Sequence, residues 1–350
     1  MGSKIETAAQ LVDYYKSQGK IPTQRFLTQI LVDEPNHKAL LSLILVDEAL
    51  LSLIAPLEPT LAYHLSEANE HSGCWLSAGL SSSPALSLTD PVFIENVGLR
   101  LLIHPLDVDP QVSLRCPCDK SRFLQPDLDT YHCFSCMGKN GPSTCFHSRH
   151  GGVIGCLVDF VCAACPNAQA FREPNMPQVV KPLRADVRLD QGNTSYFFDV
   201  SIVNPAARAY IKAVQPHKNP LAAAALMERT KSSKYKASYN EQNGYKVLGE
   251  SVIPFVLETT GAFGNSALAV ISKLAGFKDL VPTPNESLAK ARRWFMQRVS
   301  VILARSRYEL LGHFRRRVIR TEFHQSDLDY SSSVDGYVSS QSDWEGQALS

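Results

Sequence analysis

The sequence lacks an apolar run of the length that a membrane-spanning helix needs. Its longest apolar stretch, Ala39 to Leu57, is interrupted by Asp47, Glu48 and Ser52, whereas such a helix needs about 20 predominantly apolar residues. Residues 1–20 also lack the apolar region of a secretion signal. These absences predict an intracellular protein without a membrane partner.

A large net charge is also absent, because 35 basic residues face 34 acidic ones and the formal charge is +1. The charge is nevertheless segregated along the chain. Ten basic residues and the single acid Glu309 lie between Lys290 and Arg320, and Lys and Arg are absent after Arg320. This pattern predicts basic C-terminal helices over residues 286–322 and a disordered, acidic, Ser-rich tail over residues 323–350.

Two interpretations of the basic helix carry equal weight. In the first, the helix holds DNA by its phosphates, with Arg315, Arg316 and Arg317 as the candidate contacts. In the second, the helix is amphipathic and its arginines are solvated. The residues packed inward would then be Trp294, Val301, Ile302, Leu310 and Phe314.

Nine cysteines occur, and eight of them lie between Cys116 and Cys165. Without a secretion signal, such clustering favours zinc over disulfides. A C-x-C pair and an H-x3-C pair predict a closed tetrahedral site formed by Cys116, Cys118, His132 and Cys136. Four protein ligands leave no position for water, so the predicted role of this zinc is structural.

Several alternatives to this ligand set remain open. Cys133 competes with His132 for one position, and Cys145 with His147 forms a second candidate pair. The plainest alternative is a set of buried, reduced cysteines with no metal, which we consider less consistent with the spacing.

Two aspartates accompany the predicted strands Arg184–Leu189 and Tyr196–Val203. If these strands are neighbours, Asp186 and Asp199 can share a hard divalent cation with a main-chain carbonyl such as that of Val200. This is an arrangement that cleaves phosphodiesters. Nucleases of this kind usually carry a lysine two residues after the second acid, but Ser201 occupies that position.

The missing cation is predicted to come from the helix that begins at about Leu221. Glu228, Lys231 and Tyr235 share one narrow face of this helix at positions i, i+3 and i+7, while Lys234 points away from it. Lys231 is therefore the candidate catalytic lysine, with Glu228 and Tyr235 in support. The alternative is that strand-end aspartates and solvated helix lysines have no such role, as is common.

Apolar spacing predicts helices between Glu6 and Ile54, from Asp90 to about Leu102 and from His150 to Ala164. The last of these precedes the two strands, the lysine helix and a final strand, Ser251–Leu257. The order helix, strand, strand, helix, strand predicts an α/β unit with one small mixed sheet.

Several short motifs of the chain occur in the order found in one family of proteins. In sequence order they are Cys74-Trp75-Leu76, Phe93, Gly98-Leu99-Arg100-Leu101, Cys116-Pro117-Cys118, His132, Cys136, Arg149-His150, Glu173-Pro174, Arg184-Ala185-Asp186, Asp199-Val200-Ser201-Ile202-Val203, Ala225, Glu228, Lys231, Lys234-Tyr235 and Pro254-Phe255-Val256-Leu257-Glu258-Thr259-Thr260-Gly261. From about His71 onward the chain resembles the region downstream of the reverse transcriptase in polyproteins of LINE-type non-LTR retrotransposons.

The resemblance implies a fold and a division of the chain. The expected core is α/β, of the restriction-endonuclease-like PD-(D/E)XK type, at residues 149–285. It follows a helical region at residues 1–110 and a zinc-binding CCHC module at residues 111–148.

The resemblance also implies a metal-dependent DNA endonuclease that nicks target DNA in the nucleus. Asp186, Asp199 and Lys231 would form its site with Mg²⁺ or Mn²⁺, and Glu173 would assist the metal. The implied contacts to nucleic acid include Arg184 and Lys234, and the partner is DNA, alone or with the element's RNA. The alternatives are a zinc-stabilised nucleic-acid-binding protein without catalysis and a host-adapted interaction protein.

Overall fold

The structure is a computed structural model that describes residues 58–69, 71–78, 83–100, 114–116, 118–124, 129, 131–136, 143–165, 167–174, 185–192, 194–240, 252–275 and 285–331. The helices expected between Glu6 and Ile54, the candidate contact Arg184 and residues 332–350 of the tail lie outside this part of the chain. No helix in the described ranges is both long and apolar enough to cross a membrane.

Seven α-helices and six strands are described. They are α1 Glu58–Glu67, α2 Asp90–Arg100, β1 Arg115–Cys116, β2 Asp119–Phe123, α3 Ser143–Ala164, β3 Gln169–Arg172, β4 Val187–Gln191, β5 Thr194–Val203, α4 Arg208–Val214, α5 Ala222–Asn240, β6 Ile253–Glu258, α6 Asn265–Ala275 and α7 Asn285–Ser331. Short 3₁₀ turns occur at Cys74–Ser77, Pro84–Leu86 and His132–Phe134.

The central sheet has four strands in the order β3-β4-β5-β6. β3 pairs with β4 and β4 pairs with β5 in antiparallel fashion, whereas β6 is parallel to β5. Gly192, with φ of 57°, follows β4 and has the left-handed conformation that a tight hairpin turn requires. The parallel pair needs a long crossover, which passes through α4 and α5. The predicted α/β unit with a small mixed sheet is therefore confirmed.

One face of the sheet forms the main hydrophobic core. Side chains of β4 and β5, such as Val187 and Phe198, pack there against α3, α6 and α7. The opposite face packs against α5, where Ala223 and Ala224 contact Val203 and Val256. Asp199, the candidate site residue on β5, therefore lies on the face of the sheet that α5 covers.

Helix α7 joins three separate hydrophobic clusters along its length. Phe295 and Val299 belong to the main core, Val301 and Ala304 pack against Trp75, and Leu310 belongs to the cluster that surrounds the predicted zinc ligands. The inward packing expected of an amphipathic helix is thus observed for most of its apolar residues.

Trp294 is the exception, because 37% of its surface is exposed. The interpretation that packs it inward is wrong. The guanidinium of Arg298, one turn along the helix, lies 4.3 Å from the ring centroid, so the ring is covered by a neighbouring cation and contributes little to the core. The helix also continues to Ser331, beyond residue 322, because Gly and Pro are absent between His313 and Ser331.

A buried charge network fastens α7 to α1. Arg307 and Glu67 form an ion pair in which both side chains are 1% exposed. Arg100 on α2 also contacts Glu67, at 2.9 Å. Burial would strongly disfavour either charge alone, so the pair is held together by the cost of separating it.

A second buried acid, Glu258, lies at the end of β6. Its carboxylate accepts a hydrogen bond from Ser66, which also contacts the Thr260 hydroxyl. Burial raises the pKa of Glu258 from 4.5 to about 7, although the hydrogen bond from Ser66 opposes the shift. The neutral acid is therefore the form that the core favours.

This shift predicts that Glu258 makes folding pH-dependent. Between pH 4.5 and about 7 the folded state retains a proton that the unfolded state releases. The contribution to the free energy of unfolding is complete below the unfolded pKa and is lost as the pH rises through the folded one. The difference in the free energy of unfolding, Glu258→Gln minus wild type, should rise by about 3 kcal/mol between pH 4.5 and pH 8, as measured by urea unfolding. Parallel stability curves for the two proteins would contradict this expectation.

Candidate metal centres

The first candidate centre is the Cys/His cluster, formed by Cys116, Cys118, His132 and Cys136. Strands β1 and β2 form a small antiparallel hairpin that carries the first two residues at its turn. The 3₁₀ turn His132–Phe134 holds the third and precedes the fourth. Two local pairs thus meet across the excursion, as the spacing predicts.

The geometry of the Cys/His cluster suits a four-coordinate metal. One ligand atom from each residue lies within 4.8 Å of all the others. The Cys116 and Cys136 sulfurs are 3.8 Å apart, and His132 Nε2 lies 3.0 Å from Cys116 Sγ and 3.3 Å from Cys118 Sγ. Sulfurs on a tetrahedral zinc ion with bonds of 2.3 Å lie about 3.8 Å apart. The pair Cys116 and Cys136 matches this distance, whereas the sulfurs of Cys116 and Cys118 are 2.7 Å apart and would separate on binding. The four residues can therefore hold a metal such as zinc.

The electrostatics of the Cys/His cluster favour thiolate, the form that binds metal. The pKa of Cys116 is lowered to about 3, chiefly by its hydrogen bond with Cys136. Burial opposes this shift, and contacts with His132 and Cys118 reinforce it. A cysteine that ionises so readily is a good zinc ligand at neutral pH.

The competing cysteines lie in the hydrophobic packing around the Cys/His cluster. Cys133 is 1% exposed and packs among Tyr131 and Phe134, and burial raises its pKa. Cys145 is also buried, which raises its pKa. Neither belongs to the four-residue group, which contains His132 in the position for which Cys133 competes and does not include the pair of Cys145 with His147.

The second candidate centre is the acidic row, formed by Glu173 directly after β3, Asp186 directly before β4 and Asp199 on β5. The backbone N–H of Glu173 donates to the carbonyl of Asp186 at 2.8 Å, and that of Asp186 donates to Phe198 at 3.0 Å. Asp186 Oδ2 accepts a hydrogen bond from the N–H of Val200 at 2.6 Å. Asp186 therefore contacts the residues on both sides of Asp199.

Helix α5 supplies two partners to Asp199. Lys231 Nζ lies 2.8 Å from Asp199 Oδ1, and the Tyr235 hydroxyl donates a hydrogen bond to Oδ2. Asp199 is only 5% exposed. A buried carboxylate needs such partners to remain ionised, and the i, i+4 spacing on α5 delivers both from one helix face.

His150, near the start of α3, is the partner of Asp186. Its Nε2 lies 3.4 Å from Asp186 Oδ2 and 3.1 Å from the carbonyl oxygen of Val200. The hydrogen bond to Asp186 raises the pKa of His150, while burial opposes the shift. Sequence reasoning used His150 only as the start of a helix. The available signal was its position beside an arginine at the beginning of an apolar helix.

The remaining candidates of the nuclease site have other contacts. Glu228 accepts a hydrogen bond at 2.8 Å from the backbone N–H of Ser266, in the first turn of α6, and burial raises its pKa. Its carboxylate thus caps the first turn of α6, whereas the partners of Asp199 are Lys231 and Tyr235. Lys234 Nζ lies 5.3 Å from the centroid of the Tyr235 ring.

The candidate DNA contacts on α7 differ in their surroundings. Arg315 forms a two-pronged ion pair with Glu95 on α2, with distances of 2.9 and 3.0 Å. Arg316 is exposed and Arg317 is half-buried. Of the three arginines, Arg316 is therefore the exposed one, and its charge lies at the surface.

Asp186 and Asp199, two of the three acids in the acidic row, have separate partners. Within the described ranges, the Cys/His cluster is the group of at least three Cys, His, Asp or Glu residues whose ligand atoms lie within 4.8 Å of one another. Asp186, Asp199 and His150 do not form such a group there. The convergence of both aspartates on one ion therefore remains a prediction.

The Cys/His cluster generates a test of zinc binding. Wild type should contain about one zinc ion per chain, and Cys136→Ser should lose it, because one of four ligands is removed. Cys162→Ser should retain the metal, since Cys162 is exposed on α3. Metal content is measured by mass spectrometry after dialysis.

Chelation should expose residues 114–136 to limited proteolysis before the sheet is cleaved, because the binding energy of a local site is local folding energy. Cleavage spread evenly over the chain, or full zinc content in Cys136→Ser, would contradict the assignment.

Comparison with known proteins adds no relative to this geometry. No protein-family model matches the chain, and a search of curated proteins gives no significant match. The resemblance described above therefore depends on the order and spacing of the residues themselves, and the functional argument depends on the two candidate centres.

Proposed function

We propose that the protein is a metal-dependent DNA endonuclease with a restriction-endonuclease-like core. The observation that carries the proposal is the acidic row beside a lysine. Asp199 lies on β5, while Asp186 and Glu173 lie next to the ends of β4 and β3. Lys231 forms an ion pair of 2.8 Å with Asp199. Lysine beside paired acids is typical of sites that hydrolyse phosphodiesters with a divalent cation.

The donor set fits Mg²⁺ or Mn²⁺. Carboxylates of Asp186 and Asp199 and the carbonyl of Val200 are hard oxygen ligands of the kind that these ions prefer. A divalent ion bound there supplies an activated water and stabilises negative charge on the phosphate. Glu173, an exposed residue directly after β3, would hold a water of the ion.

Lys231 and Tyr235 have distinct tasks in this proposal. The Lys231 side chain is 23% exposed and so can meet a phosphate as well as Asp199. Its ammonium orients the attacking water and stabilises the charge that develops on the phosphate, the role for which Ser201 is unsuitable. Tyr235 is buried and fixes the rotamer of Asp199 by its hydrogen bond.

The remaining parts of the chain have supporting roles in the proposal. Zinc in the Cys/His cluster stabilises the fold around α7, and exposed arginine on that helix contacts DNA phosphates. The resemblance to retrotransposon polyproteins supports target-DNA nicking in the nucleus, on DNA alone or together with the element's RNA.

The second candidate is a zinc-stabilised DNA-binding protein that does not cleave. The separate partners of Asp186 and Asp199 favour it, because each carboxylate already has a protein partner. The two candidates differ in one measurable respect, which is nicking of DNA that depends on Asp199.

Asp199→Ala should abolish this nicking. Removing a metal ligand should lower the rate of plasmid nicking with Mg²⁺ or Mn²⁺ on the order of 100-fold or more. The matched control is Asp190→Ala, because Asp190 lies at the other end of β4, where its partners are Arg188 and Ser195. A wild-type protein that binds DNA without metal-dependent nicking, or equal rates in wild type and Asp199→Ala, would favour the second candidate.

Lys231→Ala and Lys234→Ala form a matched pair on α5. Lys231→Ala should lower the nicking rate about 100-fold at saturating DNA with little loss of affinity, because its charge acts on the reacting phosphate. Lys234→Ala should weaken DNA binding slightly and leave the saturated rate near that of wild type. Rates and affinities are measured at fixed salt. A larger loss of rate in Lys234→Ala would show that Lys234, and not Lys231, is the catalytic lysine.

A further inference from the structure

His150 reaches the position that the proposed function assigns to the divalent ion. Its Nε2 lies 3.1 Å from the Val200 carbonyl oxygen and 3.4 Å from Asp186 Oδ2. Both oxygens are ligands in the proposed site.

These distances suit a hydrogen bond from Nε2–H, and they also suit neighbouring ligands on one ion, which would take the place of the proton on Nε2. Ligands at right angles on an octahedral ion, with bonds of about 2.1 Å, lie about 3 Å apart. His150 is anchored by α3, whose following residues pack in the main core, so its backbone position is fixed before any metal binds. Its side chain is 37% exposed, which leaves room for a water or phosphate on the outer side.

We propose that His150 is a nitrogen ligand of the divalent ion and that it makes the site selective for Mn²⁺ over Mg²⁺. The proposal rests on the proposed nuclease function. An imidazole nitrogen is a poor ligand for Mg²⁺, which strongly prefers oxygen, whereas ions of the first transition row accept nitrogen and oxygen together. The donor set is then His150 Nε2, a carboxylate oxygen of Asp186 and the Val200 carbonyl, with Asp199 beside them on β5.

The arrangement also explains how Asp186 is held. Its Oδ2 accepts the Val200 N–H at 2.6 Å, which leaves the second oxygen and the remaining lone pair of Oδ2 for an ion. His150 and Val200 therefore bracket this carboxylate from α3 and β5. A rigid set of ligands from two elements favours one coordination geometry over others.

Pulsed electron paramagnetic resonance of full-length, zinc-loaded protein with added Mn²⁺ tests the proposal directly. The spin echo should carry the modulation of an imidazole ¹⁴N nucleus in wild type and lose it in His150→Ala. Mn²⁺ affinity should fall about tenfold or more in that variant, while Mg²⁺ affinity should change little. His313→Ala, which removes an imidazole from α7, should retain the modulation and the Mn²⁺ affinity of wild type.

The outcomes separate this proposal from the nuclease assignment. Absence of ¹⁴N modulation in wild type, or its persistence in His150→Ala, overturns the role of His150 even where nicking still depends on Asp199. Metal-dependent nicking that survives in Asp199→Ala overturns the nuclease site, and the ¹⁴N signal of the same samples still decides whether His150 binds Mn²⁺. Because the wild-type spectrum needs no substitution, a poorly folded variant does not obscure the result.

Discussion

Contact with the C-terminal helix α7 is the constraint on which most of the described structure depends. The same helix completes the core beneath the sheet, the packing around Trp75 and the cluster that encloses the zinc ligands. The cluster around Trp75 is small, and small separate cores are marginally stable. The Cys/His cluster and the sheet are consequently parts of one packed body, because both use different turns of α7 as a wall.

The sequence predicted the elements whose side chains are buried in a regular pattern. β5 and β6 are rich in buried apolar residues, and their strand character is visible in the sequence. β3 was missed because Gln169–Arg172 is an edge strand with mostly exposed side chains, which leaves no periodic apolar signal. α3 was predicted from His150 but begins at Ser143, since its first turns are polar and their helical state depends on neighbouring contacts.

The two candidate centres were predictable to different degrees. Local spacing identifies the Cys/His cluster, and the i, i+4 relation on α5 identifies Lys231 and Tyr235 as partners of one acid. Glu228 shares their helix face, yet its carboxylate reaches α6, because Gly264 has no side chain to keep it away. The contact of His150 with β5 joins residues 50 positions apart. No local pattern contains such a relation, since it arises only when α3 packs on the sheet.

The buried contact between Glu67 and Arg307 has a consequence for how the sequence can diverge. Loss of Glu67 would leave the Arg307 charge unpaired in the core, at a cost of about 3–5 kcal/mol, which is a large part of the stability of an ordinary domain. Replacement of both by apolar residues of similar volume is far less costly. Arg100 forms an ion pair with the same carboxylate, so substitutions at these three distant positions are energetically coupled. Related chains should therefore keep all three residues or exchange them together.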